Sequence, residues 1–218
     1  MLLTHQERSR LIERNTEMIN KLFGRQVFSD SPQVASGYLR VQRWTDPIAT
    51  SATRLKTGQA TSSSATTTVT SFSAQPDFAR KITVTPGGTT ADVPAGDVTI
   101  TGTNIRGATI SDTITFAANA STVGATSKAF KTVTSVVFPV QDGSGATYNI
   151  GVNDALGLDR CMSEAAVVDA YADGVRETTA ATVTFDADEV EKNTVDLNTA
   201  LNASLNIAVA FIATELVS

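Results

Sequence analysis

The chain has 218 residues, a formal net charge of −5 and a single cysteine. The acidic balance argues against nucleic acid as the main partner, because neutralising phosphates requires a surplus of lysine and arginine. One cysteine, Cys161, excludes an intrachain disulfide framework, and we expect it to be a small buried side chain. The length allows one large domain, or a domain of ordinary size with appendages.

Residues 1–24 predict an amphipathic helix, running from about residue 5 to residue 23. Thr4 followed by Glu7 forms a capping box, and Gly24 stands where a C-terminal cap belongs. Charges in this stretch fit neither a signal peptide nor a membrane span. The polar face carries Arg8, Arg10, Glu13, Arg14, Glu17 and Lys21. The apolar stripe, which must pack on another surface, comprises Leu11, Ile12, Met18, Ile19, Leu22 and Phe23.

Residues 25–65 predict an extended arm. The stretch contains Pro32 and Pro47, scattered apolar residues and a Ser/Thr-rich end, and it has too little apolar surface to become ordered alone. Large apolar side chains on such an arm are natural anchors for docking on a partner. Packing back on the chain's own sandwich is the alternative. With the helix stripe, the candidate partner-binding residues are therefore Tyr38, Leu39, Val41 and Trp44.

Residues 66–218 predict a β-sandwich. The clearest pattern places Val98 and Ile100 on one face of a strand and Thr99 and Thr101 on the other, with Asp112 as a misfit on the dry face of the next strand. Short strands separated by turns, without helices between them, favour an antiparallel sandwich. The candidate strands are 66–72, 80–85, 97–101, 109–117, 128–137 and 148–152.

The last part of the chain, residues 160–218, either completes this sandwich or forms a second sheet. Asp173 and Gly174 predict a two-residue hairpin turn. The strand near the C-terminus is apolar on both faces, because Ala208, Ala210 and Ile212 alternate with larger apolar residues. We therefore expect it to be central or well covered. The fold class predicted overall is mainly β: a sandwich preceded by an amphipathic helix and an extended arm.

Motifs for catalysis or metal binding are missing from the sequence. The only histidine, His5, belongs to the predicted helix, and a single histidine far from a single cysteine supports neither a nucleophilic triad nor a zinc site. An acidic stretch at residues 185–193 lacks the glycine and the ligand spacing of a calcium loop, so we interpret it as a solvated acidic turn. We predict a protein that is not an enzyme and has no cofactor and no metal.

Four segments between residues 80 and 160 carry a resemblance to a known family. They are "RKITVTPGG", "DVTITGTNIRGATISDTITF", "TSKAFKTVTSVVFP" and "YNIGVNDALGL". This succession resembles an Ig-like β-sandwich module of structural proteins of tailed bacteriophages, in which a hairpin like that at 101–104, a strand like 128–136 and a turn like 150–158 recur in this order. The segments "TVDLNTAL" and "NIAVAFIA" look like the closing part of such proteins. A sandwich alone implies no function.

The resemblance implies a virion structural protein, most simply a capsid decoration or cement protein. Such a protein would bind the assembled capsid through its helix and arm, and would be assembled in the cytoplasm of the bacterial host. We expect the major capsid protein or other virion proteins as partners, a homo-oligomer, and neither membrane nor nucleic acid as a partner. Two alternatives stay open: a neck, connector, tail or head-fibre component, and a module that binds cell-surface glycans, against which the low aromatic content counts.

Overall fold

The computed structural model describes residues 37–214 and the backbone of residues 25–27. The predicted N-terminal helix, including its whole apolar stripe, lies outside the described residues. The described part is mainly β, and its strand pairs are antiparallel. Its strands are β1 (Arg25–Val27), β2 (Gly37–Thr45), β3 (Ser51–Ala60), β4 (Thr67–Val69), β5 (Arg80–Gly88), β6 (Gly96–Thr103), β7 (Thr109–Phe116), β8 (Gly124–Phe130), β9 (Thr132–Phe138), β10 (Ala146–Gly157), β11 (Val167–Ala172), β12 (Val175–Arg176), β13 (Thr182–Thr184), β14 (Thr194–Asp196) and β15 (Asn206–Ala213). Two 3-10 turns occupy Thr90–Asp92 and Val190–Lys192.

The first core lies between two sheets, which we name B and C. Sheet C has the strand order β4-β9-β6-β7, and the part of sheet B that contributes to this core consists of β3, β10, β5 and β8. Alternation along the strands produces the core: Val98 and Ile100 of β6 are fully buried, whereas the alternate residues Thr99 and Thr101 are not. The buried side chains of both sheets form one continuous cluster. This two-layer arrangement agrees with the predicted antiparallel sandwich.

A second core lies under a third sheet, sheet A, with the strand order β1-β2-β15-β11-β12. Its inner face meets the end of β10, strand β14 and the residues around Leu158 and Met162. The prediction of a central strand near the C-terminus is confirmed, because β15 pairs with β2 on one side and with β11 on the other. Residues beyond 160 thus supply three strands of sheet A and, through β13 and β14, an extension of sheet B.

Strand β10 connects the two cores. It pairs with β5 on one side, and on the other side first with β3 and then with β14. Arg80, at the start of β5, is fully buried beside this transition. Its Nε lies 3.1 Å from Oδ1 of Asp77, and its Nη2 donates a hydrogen bond of 2.7 Å to the carbonyl of Ile48. Burial lowers the pKa of Arg80, while the charges of Asp77 and Asp154 oppose that change.

The predicted extended arm is wrong for residues 37–60, because β2 belongs to sheet A and β3 pairs with β10 in sheet B. The sequence concealed β2, since two of its inward positions hold polar residues. Nη2 of Arg40 lies 2.5 Å from Oδ2 of Asp159. Nε2 of Gln42 donates a hydrogen bond of 3.1 Å to the carbonyl of Gly157. These partners lie more than a hundred positions away in sequence, so the pattern of β2 alone could not reveal a half-buried strand.

The predicted strand 128–137 is two strands. β8 pairs with β5 in sheet B, whereas β9 pairs with β6 and β4 in sheet C. The chain changes sheets at Lys131, whose N–H donates a hydrogen bond of 2.8 Å to the carbonyl of Thr103. No glycine or proline marks this corner, and uninterrupted alternation therefore predicted a single strand.

Candidate docking surface

Side chains close two strand edges of the sandwich formed by sheets B and C. Gln75 lies beside β9 and forms two hydrogen bonds with the backbone of Val133. Its Nε2 donates to the carbonyl at 3.1 Å, and its Oε1 accepts from the N–H at 2.8 Å. Asp112, the predicted misfit, links β7 to β8: its Oδ2 accepts the N–H groups of Ser127 and Lys128 at 2.7 and 3.0 Å. Such contacts satisfy backbone groups that would otherwise pair with another chain.

Among the described residues, nothing closes one edge of strand β2 in this way. β15 pairs with β2 from Tyr38 to Thr45, whereas β1 covers only residues 37–39 on the opposite side. Within the described residues, the backbone of 40–45 has no hydrogen-bond partner on that side. An unpaired edge is a template for pairing with a further strand. Residues 40–45, the open edge of β2, are therefore a candidate docking element.

The four predicted anchors on β2 divide between its two faces. Tyr38 and Trp44 share the inner face, and Trp44 is 3% exposed within the second core. Trp44 therefore packs against the chain's own strands, which is the alternative that the sequence left open, and it is not available to stack on a sugar or to anchor a partner. Leu39 and Val41 are half-buried on the outer face. Tyr38 is also half-buried, so Tyr38, Leu39 and Val41 remain candidates for contact with another surface.

The outer face of sheet A is apolar only in part, because Arg43 lies opposite Ala208 and Thr45 lies opposite Asn206 on the same face. Leu39 lies opposite Ile212, and Val41 lies opposite Ala210, in the register of β2 with β15. Ile212 also lies over Gly37, since a Cβ added at Gly37 would stand 2.6 Å from its Cγ2. Leu39, Val41, Ala208 and Ala210 are partly buried, and Ile212 is buried, with 8% of its surface exposed. We define the outer face by Leu39, Val41, Ala208, Ala210 and Ile212. The alternation of the last strand indicated three of these residues, but not the strand beside them.

A hydrogen-bonded polar cluster borders the outer face on the β11 side. Oδ1 of Asp169 accepts Nε of Arg176 at 2.7 Å, and its Oδ2 accepts the hydroxyl of Tyr171 at 2.9 Å. The bond from Arg176 lowers the pKa of Asp169, and the bond to Asp169 raises the pKa of Tyr171. The predicted hairpin turn follows at Asp173 and Gly174, with φ of 49° and 75°. This confirms the turn and places the cluster at the end of the sheet.

A cleft of about 650 Å³ lies beside the start of β11, facing the segment 177–183. Its wall includes Val168, which is 55% exposed because a bulge between Val167 and Asp169 takes it out of the strand pairing. The charged groups of the wall are already bound: Arg176 to Asp169, and Glu177 to the N–H of Thr199 at 3.2 Å. The rest of its lining consists of alanine, valine and threonine residues.

The acidic stretch at 185–193 is built around the buried side chain of Asn193. Its Nδ2 donates to the carbonyls of Asp186 and Glu189 at 2.8 and 3.0 Å, and its Oδ1 accepts the N–H of Met162 at 2.9 Å. The predicted solvated turn is wrong for Glu191, which is 8% exposed. The residues from elsewhere in the chain that hold Glu191 are Asn104 at 3.1 Å and Lys128 at 3.3 Å.

These contacts explain the charge state of the stretch. Burial disfavours the charged form of Lys128, but its bonds to Glu189 and Glu191 outweigh burial and raise its pKa. Backbone N–H groups of Glu189 and Asp188 lower the pKa of Asp186. The carboxylates of Asp186, Glu189 and Glu191 are therefore bound to groups of the chain itself. Within the described residues, no group of three or more His, Cys, Asp and Glu side chains could hold a metal ion.

Three further observations complete the description of candidate sites. Cys161 is buried, as expected. In the part of the chain that the structure describes, no helix is long and apolar enough to cross a membrane. Comparison of the chain with protein-family models, with curated proteins and with solved structures found no match.

Proposed function

We propose that the chain is a structural protein of a tailed-bacteriophage virion, of the capsid decoration or cement type, and that its sandwich belongs to the Ig-like class. The observation that carries the proposal is the surface that sheet A forms on one side of the molecule. There the open edge of β2 lies beside the apolar side chains of the outer face. The sequence resemblance to an Ig-like module of phage structural proteins supports the proposal.

The mechanism is attachment to the assembled shell. An open strand edge offers main-chain hydrogen bonds to an extended segment of a neighbouring capsid protein. Each such contact is modest, but it is repeated in many copies over the shell and in each unit of a homo-oligomer. A protein that binds the assembled capsid in preference to free subunits stabilises the assembly by mass action.

The copy number per particle tests this proposal. Quantitative mass spectrometry of purified virions would compare the chain with the major capsid protein. A copy number close to that of the major capsid protein is expected for decoration. A few copies would move the chain to the neck, connector, tail or a head fibre, and its absence from virions would refute the proposal.

Binding to capsids that lack the chain tests the attachment side. Val41→Asp places a charge on the open edge and the outer face, so we expect it to abolish binding and the protection of capsids against heat. Thr113→Asp is the matched control, because Thr113 is exposed on β7 of sheet C. If both variants lose binding equally, or if neither variant loses binding, attachment through sheet A is contradicted.

A further inference from the structure

One side chain of the acidic stretch joins two reactive groups from elsewhere in the chain. Oε2 of Glu191, in the turn Val190–Lys192, accepts Nδ2 of Asn104 at 3.1 Å, and its Oε1 accepts Nζ of Lys128 at 3.3 Å. Asn104 follows β6 and Lys128 lies on β8, so three separate elements bring an amine, a carboxylate and a carboxamide together. Asn104 and Glu191 are buried, and the side chain of Lys128 is 18% exposed. These groups are the components of an amide exchange in which the amine is the nucleophile.

The carboxamide of Asn104 is held as an electrophile. Its Oδ1 accepts the backbone N–H groups of Arg106 and Ala108, each at 3.0 Å. The turn fixes these donors, because the N–H of Asn104 itself donates to the carbonyl of Ala108 at 2.9 Å. Two backbone donors on one carbonyl oxygen form the arrangement that stabilises the negative charge of a tetrahedral intermediate. Addition of an amine to Cγ of Asn104 would place that charge on Oδ1.

Lys128 supplies the amine, and Glu191 supplies the base. Nζ of Lys128 donates to Oε1 of Glu189 at 3.2 Å as well as to Glu191. Burial lowers the pKa of Lys128, but its bonds to these two glutamates outweigh burial and raise it. The amine therefore becomes nucleophilic only when a carboxylate takes its proton. Glu191 is the carboxylate that also contacts the leaving nitrogen of Asn104, so it is placed to pass that proton on.

We propose that Lys128 and Asn104 form a covalent amide cross-link, with Glu191 as the catalytic residue. Nζ of Lys128 adds to Cγ of Asn104, the Cγ–Nδ2 bond breaks, and Nδ2 leaves as ammonium. Two of the three protons of the lysine ammonium pass to the leaving nitrogen, the first through Glu191, which ends as a carboxylate. The exchange requires no oxidant and no second substrate, and each chain reacts once. This inference goes beyond the proposed function and does not depend on it.

The cross-link would join the two sheets of the sandwich. Asn104 follows β6 of sheet C, whereas Lys128 lies on β8 of sheet B. A covalent bond between these positions closes a loop in the unfolded chain, and so restricts the unfolded state as a disulfide does. The burial of Asn104 and Glu191 keeps most water away from the reacting atoms, which favours attack by the lysine over hydrolysis of the carboxamide.

Intact-mass spectrometry of the purified full chain tests the inference. After incubation at neutral pH, we expect a mass lower than that of the sequence by one ammonia, about 17 Da. Peptide mass spectrometry should then find a branched peptide that joins residues 104 and 128. Glu191→Gln preserves the size of the side chain but removes the carboxylate that accepts the proton, so we expect the cross-link to form about a hundredfold more slowly. Lys128→Arg should form no cross-link and should keep the full mass of its sequence.

Glu189→Gln is the matched control. Glu189 also binds Lys128, whereas the carboxamide of Asn104 donates to Glu191, so this variant should cross-link at least as fast as the wild-type protein. Protection of the β6 amides from hydrogen exchange verifies that each variant is folded.

Three results would overturn the inference. The first is a wild-type chain that keeps the full mass of its sequence and yields no branched peptide. The second is an equal loss of ammonia from Lys128→Arg, which would show that an asparagine cyclises without the lysine. The third is a folded Glu191→Gln variant that cross-links as fast as the wild-type protein, which would remove Glu191 from the reaction. The measurement contains no capsid, so its outcome is independent of the proposed function.

Discussion

Replacing Arg80 with methionine should destabilise the fold strongly, although methionine preserves most of the apolar stem. The guanidinium is fully buried, lies 3.1 Å from Asp77 and donates to the carbonyl of Ile48. Removal of one partner of a buried ion pair costs about 3–5 kcal/mol, because the other charge stays without compensation. Asp77 is 15% exposed, so the lower end of that range, about 3 kcal/mol, is expected.

Urea unfolding, followed by circular dichroism and by the fluorescence of Trp44, measures this effect. With an m-value of about 2 kcal/mol/M, a loss of about 3 kcal/mol lowers the midpoint by about 1.5 M. Adding Asp77→Asn to Arg80→Met removes the stranded charge and should restore much of the loss. Arg176→Met is the matched control: this arginine also binds an aspartate, but its side chain is 68% exposed, so the midpoint should not change.

Two results would refute this reasoning. If Arg80→Met unfolds at the same urea concentration as the wild-type protein, the charge of Arg80 does not stabilise the junction between the cores. If the double variant is no more stable than Arg80→Met, the loss arises from packing and not from the stranded carboxylate of Asp77.

Two further predictions concern single side chains. Asn193→Ala should cost about 3 kcal/mol, because it leaves buried N–H and carbonyl groups around residue 193 without partners; a midpoint unchanged in urea would show that water replaces the amide. Gly37→Ala should cost about 1–3 kcal/mol, because the new Cβ would lie 2.4 Å from the carbonyl oxygen of Ala213. Gly174→Ala should cost only about 1 kcal/mol, because Gly174 has φ +75° but open space around it. If Gly174→Ala destabilised the protein more than Gly37→Ala, the close packing at Gly37 would be contradicted.

Local alternation predicted the strands whose polar residues face solvent. The run from Val98 to Phe116 was read correctly as two paired strands, because each inward position between them holds an apolar residue except Asp112. Asp112 is the informative exception. Its carboxylate accepts backbone N–H groups of β8, so the one position that violates the pattern is the one that joins two sheets.

Long-range partners explain what the sequence could not predict. β2 escaped prediction because Arg40 and Gln42 occupy inward positions and find Asp159 and Gly157 across the fold. Glu191 was assigned to solvent because Asn104 and Lys128, which hold it, lie on other strands and turns. The candidate docking surface was predicted in part for the same reason: Leu39 and Val41 were identified, but the outer face they share with β15 depends on strand order.

Asp196 should make stability depend on pH in the direction opposite to that of a carboxylate in a salt bridge. Burial raises the pKa of Asp196 and the charge of Asp154 raises it further, against an opposing effect of Lys81. The folded protein therefore binds this proton more tightly than the unfolded chain, in which the pKa is near 3.8. Stability falls as pH rises from that value through the raised pKa, and the cost is fully present above it.

Asp196→Asn cannot ionise, so it should be more stable than the wild-type protein at pH 7. The difference should shrink as pH falls and should disappear below the unfolded pKa, where the wild-type side chain is protonated in both states. Urea midpoints of the two proteins, measured from pH 7 down to about pH 3.5, would show this convergence around the unfolded pKa of an aspartate. A variant that is less stable than the wild-type protein at pH 7, by a difference that shrinks as pH falls, would mean that Lys81 stabilises the charged form of Asp196 more than burial destabilises it. A difference independent of pH would mean that ionisation of Asp196 does not affect stability.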